Sequence, residues 1–100
     1  MDRMSEEKNR KERERRDKMV RRFQDYKEKK GCTDCGQTFP HYVLEFDHLP
    51  GIEKLGSPGQ LVRRYAWATV QEEMDKCEVV CANCHSIRSY ERGQTQHKKY

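Results

Sequence analysis

Cys81-Ala82-Asn83-Cys84-His85, read together with Cys32-Thr33-Asp34-Cys35, is the stretch around which the rest of the chain is organised. Two C-x₂-C pairs far apart in sequence supply four thiolates to one tetrahedral Zn²⁺, the closed shell of a structural site. The loop that such a clasp closes contains Phe46-Asp47-His48, and His85 follows the second pair directly. Joining Cys35 to Cys81 through one ion therefore brings Asp47, His48 and His85 into one neighbourhood.

The composition calls for such a staple. One hundred residues make one small domain, and a hydrophobic content of 33% leaves little for a core. The five cysteines form two tight pairs plus Cys77. That odd count, with no signal-peptide pattern, argues against a secreted disulfide framework. No apolar run approaches the roughly 18–20 residues of a membrane span. The expectation is a soluble, cytoplasmic, zinc-stapled protein with no membrane partner.

Charge is unevenly spread. Residues 1–30 carry 13 Lys and Arg against 8 Asp and Glu, whereas residues 31–100 carry 8 against 9. The net charge of +4 thus resides in an N-terminal arm, and basic segments of this kind meet nucleic acid, anionic membrane or only water. Residues 1–30 read as one long helix with no Pro or Gly and with acidic-to-basic i,i+4 pairs: Glu6–Arg10, Glu7–Lys11, Glu12–Arg16, Glu14–Lys18 and Asp17–Arg21. Residues 4–18 offer no apolar stripe. From Met19 the pattern changes, and Met19, Val20, Phe23 and Tyr26 fall on one face to pack on the remainder of the chain. Arg10, Arg13 and Arg16 are the arm's candidate nucleic-acid contacts, against the alternative of a solvated helix that only aids solubility.

Residues 31–93 form the second unit, and residues 94–100 a polar tail. Gly31 ends the helix, and Cys32 to Gly36 make a tight knuckle. Tyr42–Phe46 reads as a strand that delivers Asp47 and His48 at its end. Ser57, Pro58 and Gln60 signal a helix start, and the spacing predicts one helix to about Asp75. That helix would bury Val62, Ala66, Val70 and Met74 with help from Trp67, and expose Arg63, Arg64, Glu72 and Glu73. Cys77–Val80 reads as a second strand, antiparallel to Val43–Phe46, followed by a helix from Cys84 to Glu91 that Gly93 stops.

This order of parts resembles the HNH nuclease family, whose shared core is the ββα-metal fold. A C-x₂-C knuckle, a strand ending in Asp-His, a second strand, then C-x₂-C-H opening a helix carry the resemblance, which covers Cys32 to about Arg92. It implies an α+β fold: a small zinc-stapled ββα-metal domain with a long charged N-terminal helix and an extra helix between the two strands. It also implies a metal-dependent endonuclease of phage or prophage type acting on double-stranded DNA, with a replication, packaging or mobility partner in view.

Phosphodiester hydrolysis requires an activated water, charge neutralisation on the phosphate and help for the leaving oxygen. An imidazole suits proton abstraction near neutrality, which makes His48 the candidate general base. By analogy with the family, Asp47 and His85 hold a catalytic Mg²⁺, Mn²⁺ or other divalent ion. Arg88, three residues after His85 on one helical face, is a candidate for holding the scissile phosphate, and Lys54 is a second. Asp47 and His48 leave a strand on opposite sides unless the strand ends there. The chain departs from the family at the middle Asn. No Asn occurs between residues 10 and 82, and Lys76 sits roughly where one would fall. Asn83 either braces the site or merely occupies a knuckle position. The competing function is a non-catalytic zinc-finger module that binds nucleic acid or a protein.

Overall fold

The computed structural model describes residues 3–93, so the expected polar tail lies outside the described residues. Helix α1 (Arg3–Lys30) runs unbroken through the charged arm. Of the five expected i,i+4 pairs, only Glu7–Lys11 lies within ion-pair distance, at 3.8 Å, while Arg10 reaches Glu7 and Glu14 instead. Long exposed side chains gain little by holding one geometry in water, which is why spacing alone does not fix them. Residues 4–18 are exposed, and burial begins at Met19. Phe23 is buried, with Met19, Val20 and Tyr26 packed around it. Gly31 then stops the helix with φ +66° and an amide hydrogen bond to the Lys27 carbonyl. A side chain there would be strained and would meet the Gln37 carbonyl at 3.0 Å.

After the Cys32–Gly36 knuckle comes a single 3₁₀ turn at His41–Val43, where the sequence suggested a strand. Strand β1 (Leu44–His48) begins later and continues through His48, pairing antiparallel with β2 (Cys77–Cys81). The register sets Leu44 opposite Cys81, Asp47 opposite Glu78 and His48 opposite Cys77. Alternation along the ribbon then sorts its side chains. Glu45 and Asp47 face helix α4 (Ala82–Glu91), while Phe46 and His48 face the other way.

The connection between the strands is not one helix. It is a short α2 (Pro58–Leu61), a turn over residues 62–65, and α3 (Trp67–Met74). Ser57 caps α2 by accepting from the Gln60 amide, but Ala66 is extended and exposed at the start of α3 rather than buried in mid-helix. The reason is burial. Leu61 and Val70 both enter the core beside Phe23, whereas in one straight helix they would lie about half a turn apart in angle, on opposite sides. Glu73 shares Val70's side of α3 and is buried with it, at 1% exposure, contrary to the surface position expected.

Two apolar clusters result. One gathers Leu44, Val79 and Val80 with the cysteines, and the other gathers Phe23, Leu61, Val62, Val70 and Met74. Phe46 and Tyr26 touch both, with the Phe23 and Phe46 rings 5.2 Å apart. Arg22 lies over the Trp67 ring at 4.2 Å and fastens α1 to α3. The domain is therefore a small α+β unit in which a two-stranded ribbon and the following helix carry a four-cysteine cluster.

Candidate functional site

The Sγ atoms of Cys32, Cys35, Cys81 and Cys84 all lie within 4.8 Å of one another. Four thiolates around one Zn²⁺ at about 2.3 Å would be about 3.8 Å apart, so the set fits a structural zinc ion. Cys81 closes β2 and Cys84 lies in the first turn of α4, while the knuckle is tied to β2 by the Thr33 amide on the Val79 carbonyl. Burial works against the Cys32 thiolate, but backbone hydrogen bonds from Cys35, Cys81 and Asp34 bring its pKa down to about 6. The hydrogen bond with Cys81, then burial, pushes Cys84 up to about 12. The site accepts one thiolate readily, and four require a cation. Cys77 stands apart: burial, then the charges of Glu73 and Asp47, pushes it up to about 11, and its thiol donates to the Glu73 carbonyl.

Above the ribbon, His85 Nε2 lies 3.6 Å from Asp47 Oδ1, and its Nδ1 lies 2.5 Å from Glu45 Oε1. Asp47 is only 6% exposed. Burial raises its pKa, yet hydrogen bonds from Arg92 and Arg88 more than offset this and hold it below the usual carboxylate range. Arg88 donates through Nη1 to Asp47 Oδ2 at 2.8 Å, through Nε and Nη2 to both oxygens of Asp34, and through Nη2 to Glu78. One guanidinium thus joins the zinc knuckle, both strands and α4. Its donors are turned towards carboxylates of the fold, not towards solvent. Asp34 and Arg92, which donates to Asp47 Oδ1 at 2.9 Å, were not singled out from sequence. The available signal for Arg92 is its spacing, four residues after Arg88 on the same face of α4.

As ligands for a divalent ion, Asp47 and His85 are an incomplete set. They offer one hard oxygen and one imidazole, and both Asp47 oxygens already accept from arginine. Among the described residues, the four cysteines are the only group of three or more His, Cys, Asp or Glu whose ligand atoms converge this closely. An ion at Asp47 would have to take the place of a guanidinium.

His48 lies on the other face. Its side chain is 8% exposed, and its Nε2 is 2.8 Å from Glu73 Oε2. The same Glu73 oxygen accepts from the Leu55 amide at 3.0 Å. Oε1 accepts from Lys76 Nζ at 2.9 Å, and Lys76 also donates to the Glu53 carbonyl. Burial alone would raise the Glu73 pKa, but the bonds from Lys76, His48 and the Leu55 amide bring it down to about 2. Lys76, at the position of the missing Asn, and Glu73 therefore fasten residues 53–55 beside His48. Asn83 is exposed and its side chain has no partner among the described residues, and Lys54 is exposed in the loop. Arg10, Arg13 and Arg16 are exposed on α1.

No family model, curated protein or solved structure matches this chain. The likeness to HNH nucleases thus stands on its motifs. Among the described residues, no helix is long and apolar enough to cross a membrane.

Proposed function

We propose that the chain is a zinc-stapled, metal-dependent endonuclease of the HNH type that hydrolyses DNA phosphodiester bonds with limited sequence preference. The observation that carries this reading is the approach of His85 Nε2 to within 3.6 Å of the buried Asp47 carboxylate, directly beside a complete four-cysteine clasp. A four-cysteine clasp needs neither residue as a ligand, although Asp47 also anchors Arg88 and Arg92. Asp47 and His85 would hold a Mg²⁺ or Mn²⁺ ion, which when bound supplies positive charge to the phosphate and the leaving oxygen. For His48 to take the proton from the attacking water, the end of β1 has to turn its ring from the Glu73 face of the ribbon towards the Asp47 and His85 side. While Nε2–H is donated to Glu73, Nδ1 is the basic nitrogen left to accept a proton. Arg88 and Arg92 hold Asp47 in place, and Arg88 reaches the phosphate only by giving up one of its carboxylates. A free-standing phage or prophage enzyme serving replication, packaging or mobility is the setting that the motifs suggest.

The second reading is a non-catalytic zinc module that binds nucleic acid or a protein. It is favoured by the engagement of both Asp47 oxygens with arginine and by the enclosure of His48 against Glu73. Plasmid nicking with Mg²⁺, with Mn²⁺ and with a chelator separates the two. The nuclease reading expects metal-dependent nicking that His48→Ala abolishes. DNA binding without any nicking by the intact, zinc-loaded protein would leave the zinc module standing.

A further inference from the structure

The turn that interrupts the expected helix carries Arg63 and Arg64, and it lies against the charged part of α1. Arg15 and Arg16 of α1 and Arg63 and Arg64 of the turn together border a cleft of about 220 Å³ over Met19 and Val62. Leu61 and Val70 dictate the break, and the break places these two pairs of cations side by side.

The guanidinium groups of all four arginines, like those of Arg13 and Arg21 on α1, have no hydrogen-bond or ion-pair partner among the described residues, although Arg10, Arg88 and Arg92 find carboxylates. Glu12 borders the same cleft and is one helical turn from Arg16, yet the two do not pair. An ordinary solvated helix face mixes its signs. Here two segments distant in sequence bring four like charges together, and Glu12 is the one carboxylate among the residues that line the cleft. Phosphate oxygens would offset that charge, because a guanidinium binds phosphate through two parallel hydrogen bonds.

The cleft also leads somewhere. Arg63 and Arg64 border an adjoining depression of about 400 Å³ that reaches Leu55 and Gly56. The Leu55 amide is bonded to the carboxylate that holds His48. A lone anion fills one depression, whereas an extended polyanion spans both and reaches the loop at Leu55 and Gly56, which Glu73 ties to His48. We propose that Arg15, Arg16, Arg63 and Arg64 form a binding site for the phosphate backbone of duplex DNA that leads the strand towards His48. This rests on DNA being the partner in the function proposed above. It does not rest on catalysis.

The test uses full-length protein carrying His48→Ala, so that DNA is not cut, and follows duplex affinity as a function of salt. In that background, Arg63→Gln/Arg64→Gln and Arg15→Gln/Arg16→Gln are compared with Arg21→Gln/Lys29→Gln, which removes the same charge from exposed positions of α1 outside the cleft. Each cleft pair is expected to weaken binding about tenfold or more at low salt. Each should also flatten the plot of log affinity against log salt by about 0.9 per lost phosphate contact, with unchanged zinc content and thermal midpoint. The control pair should shift affinity less than about threefold, the size of a long-range charge effect at moderate salt. Wild-type affinity and slope in both cleft variants would overturn the proposal, as would an equal loss in the control. Equal loss of affinity for a polyglutamate peptide would also overturn it, by making the cleft a general acid-binding patch. Plasmid nicking by the wild type is scored separately, so a bound but uncut duplex counts against the nuclease alone.

Discussion

His48 Nε2 and Glu73 Oε2 lie 2.8 Å apart, across an interface between β1 and α3 that no local sequence signal links. Glu73 also holds Lys76 and the Leu55 amide, so its removal leaves three donors without their acceptor in a closed site. Glu73→Ala is expected to destabilise the domain by about 3 kcal/mol, in the range of a broken buried ion pair. Glu73→Gln should cost less and leave zinc content intact. Denaturant unfolding of the zinc-loaded proteins measures both.

The same carboxylate predicts a pH dependence. Its pKa falls from an ordinary value of 4.5 to about 2 on folding. A depressed carboxylate contributes stability that is fully present above about pH 4.5 and is lost as the pH falls towards 2. The stability gap between wild type and Glu73→Gln should therefore be constant from pH 7 to 5 and shrink below about 4.5. A gap that stays constant down to pH 3 would show that the charge on Glu73 is not what stabilises the fold.

Zinc is expected to be part of folding. Structural zinc sites bind with on the order of 10 kcal/mol or more, comparable with the whole stability of a small domain. Cys81→Ser should leave the chain largely unfolded. Cys77→Ser should be tolerated, because Cys77 is outside the cluster. Zinc content and far-ultraviolet circular dichroism, before and after chelation, decide this. Folded protein with no zinc would overturn the structural role of the clasp.

Three substitutions separate the proposed catalytic roles. His48→Ala should lower nicking by about two orders of magnitude or more while DNA binding persists. Asp47→Ala and His85→Ala should lose activity in a way that higher Mg²⁺ or Mn²⁺ concentration partly restores. Asp47→Ala should also lower stability, since Arg88 and Arg92 both lose a carboxylate. Metal titrations of nicking rate against thermal midpoints distinguish lost chemistry from lost fold.

Helix α1 divides at Met19. Removing residues 1–18 should leave zinc content and thermal stability nearly unchanged, because the described part of that stretch, residues 4–18, is exposed throughout. Phe23→Ala, by contrast, should cost about 3–4 kcal/mol, since the ring is 7% exposed and packs on Phe46. Circular dichroism melts of the two proteins test the boundary.

Much of this architecture was legible in the chain itself, because its causes are local. The cysteine spacings gave the clasp, the charge run gave α1 down to the change of face at Met19, and Gly31 and Ser57 marked a helix end and a helix start. Spacing also implied that the clasp gathers Asp47, His48 and His85. Asp47 and His85 do approach, but β1 continues through His48 and alternation turns that side chain to the opposite face. What the sequence did not disclose depends on which apolar groups share a core. Leu61 and Val70 both enter the core beside Phe23, and that demand ends the first helix at Leu61 and leaves Arg63 and Arg64 on a turn beside Arg15 and Arg16. Glu73 looked like a surface residue because helical periodicity knows nothing of His48, Lys76 or the Leu55 amide. Arg88 binds Asp34 and Asp47 across separations of 54 and 41 residues, and no local pattern encodes that choice. Capping, spacing and charge act over a few residues. Burial and pairing of polar groups act through space, and they are fixed only when the chain closes on itself.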